Sequence, residues 1–274
     1  MRPAPGSKRV EIVGLRDGEL GTRHETIAVE EPLELRLDGG ALAVAMRTPG
    51  HDVELAAGFV VTEGIVGDFG AVCAIAHCDE TRNTIEIRTE PGAAGVRAPE
   101  VRHFIASSSC GICGKATLDE ARRLAPALRP DGMRVGLGVL EALPDRLRAE
   151  QRLFDETGAL HAAALFDSTG ALLCAREDIG RHNAVDKVVG WAALESRLPL
   201  SQTILLVSGR LGFEIAQKAL VAGIPVLAAI SGPSSLAVEL ARASGMTLVA
   251  FLRGASLNVY AGAERIANPD RARV

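Results

Sequence analysis

The sequence predicts an α/β protein, with a parallel sheet in its C-terminal half and antiparallel hairpins nearer the N-terminus. Three observations carry this. Residues 203–207, 225–230 and 246–251 are short apolar runs with the length of buried strands. Helical patterns over 214–221 and 234–243 separate them, and such alternation implies parallel strands joined by right-handed crossovers. Leu33-Glu34-Leu35-Arg36-Leu37 alternates apolar with polar before Asp38-Gly39-Gly40, a tight-turn signal that predicts a hairpin.

The remaining elements follow in order. Residues 10–48 read as strands. Thr48 and Pro49 precede apolar positions Val53, Leu55, Ala56, Phe59 and Val60, which predicts a helix entered by a capping hydroxyl with proline in its first turn and closed by Gly64. A second strand pair is expected over 73–76 and 84–88, and the Pro/Gly-rich stretch 91–95 reads as a connection. A domain boundary is placed near residue 105, giving a smaller N-terminal α+β domain over 1–105 and an α/β domain over 106–274. Within the latter, 107–114 reads as a loop, 115–124 as a helix, Asp167-Ser168-Thr169-Gly170 as a hairpin turn, and a polar-rich helix starts at about Arg181. No internal repeat is visible.

Composition narrows the function classes. At 274 residues and 47% hydrophobic, the chain can bury a large core. A net charge of -4 supplies no global field for nucleic acid or anionic membranes, so phosphate recognition has to be local. The N-terminus lacks the apolar region of a secretory signal and the apolar runs are too short to span a bilayer, so a cytoplasmic protein is expected. In that reducing compartment five cysteines read as chemistry rather than as a disulfide framework.

The sharpest motif is Ser107-Ser108-Ser109-Cys110-Gly111-Ile112-Cys113-Gly114-Lys115. Two thiols are spaced for mutual reach, and the flanking glycines leave the backbone accessible. A following helix and Lys115 would both favour the thiolate, so Cys110 is a candidate nucleophile able to take up a sulfane sulfur. Other uses of Cys-x-x-Cys stay open. Cys73 and Cys78 could complete a structural zinc site, although their four-residue spacer lacks the compact knuckle of such half-sites. Deaminase zinc chemistry needs a His-x-Glu element that His51-Asp52-Val53 does not supply. A thioredoxin-like dithiol remains an alternative.

A second motif runs from Arg176 to Lys187. Placed on one helix, Asp178, His182 and Asp186 fall on a common face, giving either a proton-transfer or cofactor-orienting cluster or a solvated, ion-paired surface. Cys174 and Trp191 read as core. Third, the segments after the C-terminal strands are Ser208-Gly209-Arg210, Ser231-Gly232-Pro233-Ser234-Ser235 and Arg253-Gly254-Ala255-Ser256. Ligands of open α/β sheets bind outside the carboxyl ends of strands, so these segments could hold a nucleotide-like ligand, with Arg210 and Arg253 on a pyrophosphate.

Taken together, Thr48-Pro49, Glu54-Leu55-Ala56-Ala57-Gly58-Phe59, Glu63-Gly64-Ile65, the Cys110 loop, Asp178 through Lys187 and Phe251-Leu252-Arg253 resemble the FdhD family over about residues 45–260. The resemblance implies a cytidine deaminase-like layered α/β sheet with the smaller N-terminal domain, a homodimer, and no resident metal. It implies a sulfurtransferase that takes sulfur from a cysteine desulfurase as a Cys110 persulfide. The sulfur would pass to the molybdenum cofactor, in its bis-guanine dinucleotide form, of a formate dehydrogenase. It places cofactor binding on Phe251, Leu252, Arg253, Gly254, Ala255 and Ser256 and leaves the role of Cys113 open. A non-catalytic cofactor chaperone and a zinc-stabilised module are the competing classes; neither nucleic acid nor membrane is an expected partner.

Overall fold

The computed structural model describes residues 6–78, 80–96, 105–106, 127–128 and 132–267. The Cys110 loop and the helix expected over 115–124 lie outside them. Strands β1 (Ser7–Arg16) and β2 (Glu19–Ala28) form a separate two-stranded ribbon, with Leu15 opposite Leu20 next to its turn. The predicted hairpin is β3 (Glu31–Leu37) and β4 (Gly40–Arg47), and Leu33 and Leu35 on β3 are fully buried, as strict alternation requires. With β5 (Val72–His77), β6 (Thr84–Thr89) and β7 (Ile105–Ala106) they make a five-stranded sheet ordered β5-β6-β3-β4-β7.

Helix α1 (Asp52–Thr62) starts later than the Thr48-Pro49 signal predicts. Gly50 and His51 both take positive φ, 113° and 58°, so the chain turns before it can enter the helix. No side chain caps the first turn; instead the Thr48 hydroxyl accepts a hydrogen bond from Ile179 N at 3.2 Å. Asp52 is held by the Arg47 guanidinium fork at 3.1 and 3.2 Å, and both residues are buried.

The second half begins with β8 (Val135–Gly136), which pairs with β15 (Ile266–Ala267), followed by α2 (Leu137–Glu150) and α3 (Arg152–Thr157). The main sheet comprises β9 (His161–Asp167), β10 (Leu172–Asp178), β11 (Thr203–Val207), β12 (Val226–Ala229), β13 (Thr247–Arg253) and β14 (Ser256–Ala261), in the order β10-β9-β11-β12-β13-β14. Its three central strands, β11, β12 and β13, are parallel, as the apolar runs predict, and are joined through α5 (Phe213–Val221) and α6 (Ser235–Ser244). Antiparallel partners β9, β10 and β14 flank them, so the sheet is mixed. Helix α4 (Arg181–Leu194) leads from β10 to β11.

Burial on both faces explains the near-continuous apolar sequence of the central strands. Leu205 and Leu227 join a core shared with Leu33, Leu55 and Val185, whereas Leu206 and Val249 pack with Leu140, Leu143 and Leu147 of α2. The first core therefore runs from the five-stranded sheet through α1 and α4 to the six-stranded sheet. Helices α1 and α4 cross at backbone contact: a Cβ on Gly58 would stand 1.8 Å from the Asp186 carbonyl oxygen, and one on Gly190 1.8 Å from that of Glu54. Only glycine fits at either point.

Candidate functional site

The ends of β10, β11, β12 and β13 and the start of α4 form the region where the motifs meet. Asp178, placed on the helix by the sequence reading, is instead the last residue of β10. Its carboxylate accepts hydrogen bonds from Thr48 N, Gly180 N and Asn183 Nδ2 and lies 2.7 Å from Lys187 Nζ. Asp186 is turned away toward Lys218, whose Nζ is 2.9 Å from both of its oxygens and 2.8 Å from Glu63 Oε1. Burial works against the Lys218 charge, but Asp186 and Glu63 outweigh it and raise its pKa. Neither carboxylate is paired with His182, so the proposed three-residue cluster does not form, and the solvated-surface alternative fails too because all three residues are buried. Both carboxylates instead fasten α4 to neighbouring elements.

His182 is left in a different setting. It is 9% exposed, its Nε2 has no hydrogen-bond partner, and the nearest carboxylate oxygen, Glu214 Oε2, is 3.9 Å away. Burial, reinforced by Lys218 and Arg181, pushes its pKa down to about 3, so the imidazole is neutral at pH 7. His161, at the start of β9, was not singled out by any motif. Its ring packs on Gly209, where a Cβ would stand 3.1 Å from Nδ1 and 3.7 Å from the Arg181 Cβ. Burial, then Arg181 and Arg210, hold its pKa below the ordinary histidine value.

The three segments after the parallel strands are physically joined. Leu211 N donates to Gly232 O at 3.1 Å, Ser234 N donates to Leu211 O at 2.9 Å, and Phe251 N donates to Ser231 O at 3.1 Å. Ser208 Oγ accepts from Ala162 N, fixing the first segment against β9. The last segment is a tight hairpin rather than a loop into a helix, with Arg253 paired to Ser256 across Gly254 and Ala255. Phe251 has φ 51° and is 41% exposed, and its ring covers Gly232, where a Cβ would meet ring Cζ at 2.7 Å. A bulky residue held in the left-handed region costs energy, which the surrounding pairing has to offset. Phe251, Arg253, Gly254, Ala255 and Ser256 are exposed, whereas the Leu252 side chain is fully buried and offers a ligand only its backbone.

Of the cysteines, Cys73 and Cys78 are exposed at β5 and Cys174 is buried, its thiol pushed up to about 12 by burial. Cys174 is therefore core, as expected. Cys110 and Cys113 lie outside the described residues. Among the described residues, no group of three His, Cys, Asp or Glu side chains could hold a metal ion. Among those residues, too, no helix is long and apolar enough to cross a membrane.

Fold and site together define a mixed α/β protein whose open strand ends carry an exposed aromatic hairpin beside an arginine- and histidine-lined helix start. A family model described as the FdhD/NarQ family matches residues 28–267, and the chain belongs to that family. It is 54% identical over 270 residues to the sulfur carrier protein FdhD of Streptomyces avermitilis, covering 95% of this chain and 96% of that one. It is 53% identical over 261 residues to the protein of the same name from Mycobacterium tuberculosis, covering 89% and 93%. A crystal structure described as a candidate formate dehydrogenase accessory protein, from Desulfotalea psychrophila, superposes with a TM-score of 0.78 at 26% identity, covering 96% of this chain and all of that one.

Proposed function

We propose that the protein is a cytoplasmic sulfurtransferase serving formate dehydrogenase. The Cys110 thiolate attacks the outer sulfur of a persulfide on a cysteine desulfurase. The donor S–S bond breaks, the donor thiolate leaves, and Cys110 retains the sulfur as a persulfide. That sulfur is then delivered to the bis-guanine dinucleotide molybdenum cofactor, the substrate, held at Phe251, Leu252, Arg253, Gly254, Ala255 and Ser256. The observation that carries the reading is identity above 50% over nearly the whole chain to proteins named sulfur carriers, together with the Cys110-Gly111-Ile112-Cys113 motif. The exposed Phe251 ring and Arg253 beside it support nucleotide recognition there, since an aromatic face stacks a base and a guanidinium forks onto phosphate. A cytidine deaminase-like layering, the boundary near residue 105 and a homodimer belong to the same proposal.

The test is intact-protein mass spectrometry under non-reducing conditions after incubation with a cysteine desulfurase and cysteine. A reducible gain of about one sulfur mass on the parent and none on Cys110→Ala is the expected result. No gain on either protein replaces this reading with that of a cofactor chaperone. Equal gain on both moves the carrier role to another cysteine, Cys113 first.

A further inference from the structure

Helix α4 begins in an unusual way. Its N-cap is Gly180, no side chain caps it, and its first turn holds no acidic residue. The first helical residue is Arg181, a cation at the positive end of the helix dipole, followed by His182. Such a start is unfavourable by itself and becomes favourable once an anion neutralises it.

The surroundings fit that anion. Arg210, on the segment after β11, is exposed, and Arg181 is half-buried; neither guanidinium has an ion-pair or hydrogen-bond partner among the described residues. Both lie close enough to His161 to depress its proton affinity. Gly209 removes the side chain that would otherwise stand between His161 and Arg181. Behind them the buried His182 Nε2 lacks a hydrogen-bond partner. The nearby acids are accounted for: Asp178 is taken by Lys187, and Glu214 remains 3.9 Å from His182 Nε2.

We propose that the start of α4, with Arg181, Arg210, His161 and His182, is a subsite for a phosphate or phosphoanhydride group. Two guanidinium forks match the geometry of such a group, and the free N–H groups of a 14-residue helix point the same way. Neutral imidazoles add hydrogen-bonding capacity without adding charge repulsion. The subsite is continuous with the Phe251 hairpin, because Leu211, next to Arg210, is bonded to Gly232 beneath the Phe251 ring. A dinucleotide-bearing ligand would then run from the hairpin to the helix, with its pyrophosphate bridge on the two arginines. This deepens the cofactor-binding part of the proposed function and rests on that reading for the ligand's identity. The anion chemistry stands whether or not Cys110 carries sulfur.

The test is calorimetric titration of the full chain with inorganic pyrophosphate. The parent should bind, and the R181Q/R210Q double variant should bind at least about tenfold more weakly, the loss expected from removing charge-assisted hydrogen bonds. A charge-matched control, K8Q/R9Q on the exposed β1–β2 ribbon, should bind as the parent does. Neither Arg181 nor Arg210 supports another residue, so thermal melts should show both variants folded; the single R210Q variant, at an exposed position, provides a second reading. Absence of binding by the parent, unchanged binding by R181Q/R210Q, or equal weakening in K8Q/R9Q would overturn the proposal. Because no sulfur donor is present, failure here is distinct from failure to form a persulfide.

Discussion

Lys218 Nζ stands 2.9 Å from both carboxylate oxygens of Asp186, and the pair bolts α5 to α4 in the interior of the protein. Thr62 completes the junction by donating to Asp186 Oδ1 at 2.7 Å, so three helices meet at one buried charge pair. Replacing Lys218 with methionine keeps the volume but leaves Asp186 and Glu63 without their cation. A loss of about 3–5 kcal/mol is expected, read from the midpoint of urea unfolding.

The α1–α4 crossing gives a second prediction. Gly58→Ala drives a methyl group into the Asp186 carbonyl and should cost about 3 kcal/mol or abolish folding. Gly138→Ala, inside α2 with nothing within 4 Å of the added carbon, should instead stabilise by about 0.5–1 kcal/mol. The opposite signs of two identical substitutions separate close approach from helix propensity.

Acid sensitivity follows from His182. In the unfolded chain it takes up a proton near its ordinary pKa of 6.5, whereas the folded protein resists until about 3. Its contribution to stability is therefore intact above about pH 6.5 and is lost progressively as the pH falls toward 3. Between pH 7 and pH 5 the loss from this residue is at most about 2 kcal/mol. His182→Gln should flatten the fall in urea midpoint over that interval, and an unchanged slope would assign it to other groups.

Gly232→Ala tests the Phe251 hairpin. The new methyl group meets only the far edge of a half-exposed ring, which can swing aside, so the melting temperature should shift by only a few degrees. If the ring is part of the nucleotide-binding surface, the amount of molybdenum cofactor retained on the purified protein should fall while the fold is unchanged. Retention equal to that of the parent would remove the ring from the proposed site.

The legible parts of the sequence were those governed by local pattern. Strands β11 to β13 were visible because burial on both faces demands unbroken apolar runs, and the β3–β4 hairpin because Asp38-Gly39-Gly40 marks its turn. Helix α2 escaped notice because Gly138 and Pro144 interrupt its pattern, although Leu140, Leu143 and Leu147 face one core. The charged face of α4 was misread for a different reason. Its partners Thr48, Thr62 and Lys218 are far away in sequence, so a local reading could not reveal that Asp186 and Lys187 are buried. His161 had no motif around it; its place beside Arg181 and Arg210 arises only when β9 pairs with β11.

Strand β7 sets a leash on the chemistry. Ala106 is paired with Ala45 at the edge of the five-stranded sheet, and Cys110 follows it by four residues. A fully extended chain advances about 3.5 Å per residue, so the Cys110 Cα stays within about 14 Å of the Ala106 Cα wherever the intervening residues go. With that end anchored, sulfur can be collected and released only inside this radius. A donor or acceptor atom beyond it has to be brought in by the partner, or served by Cys113, whose longer leash of about 25 Å reaches further from the same anchor.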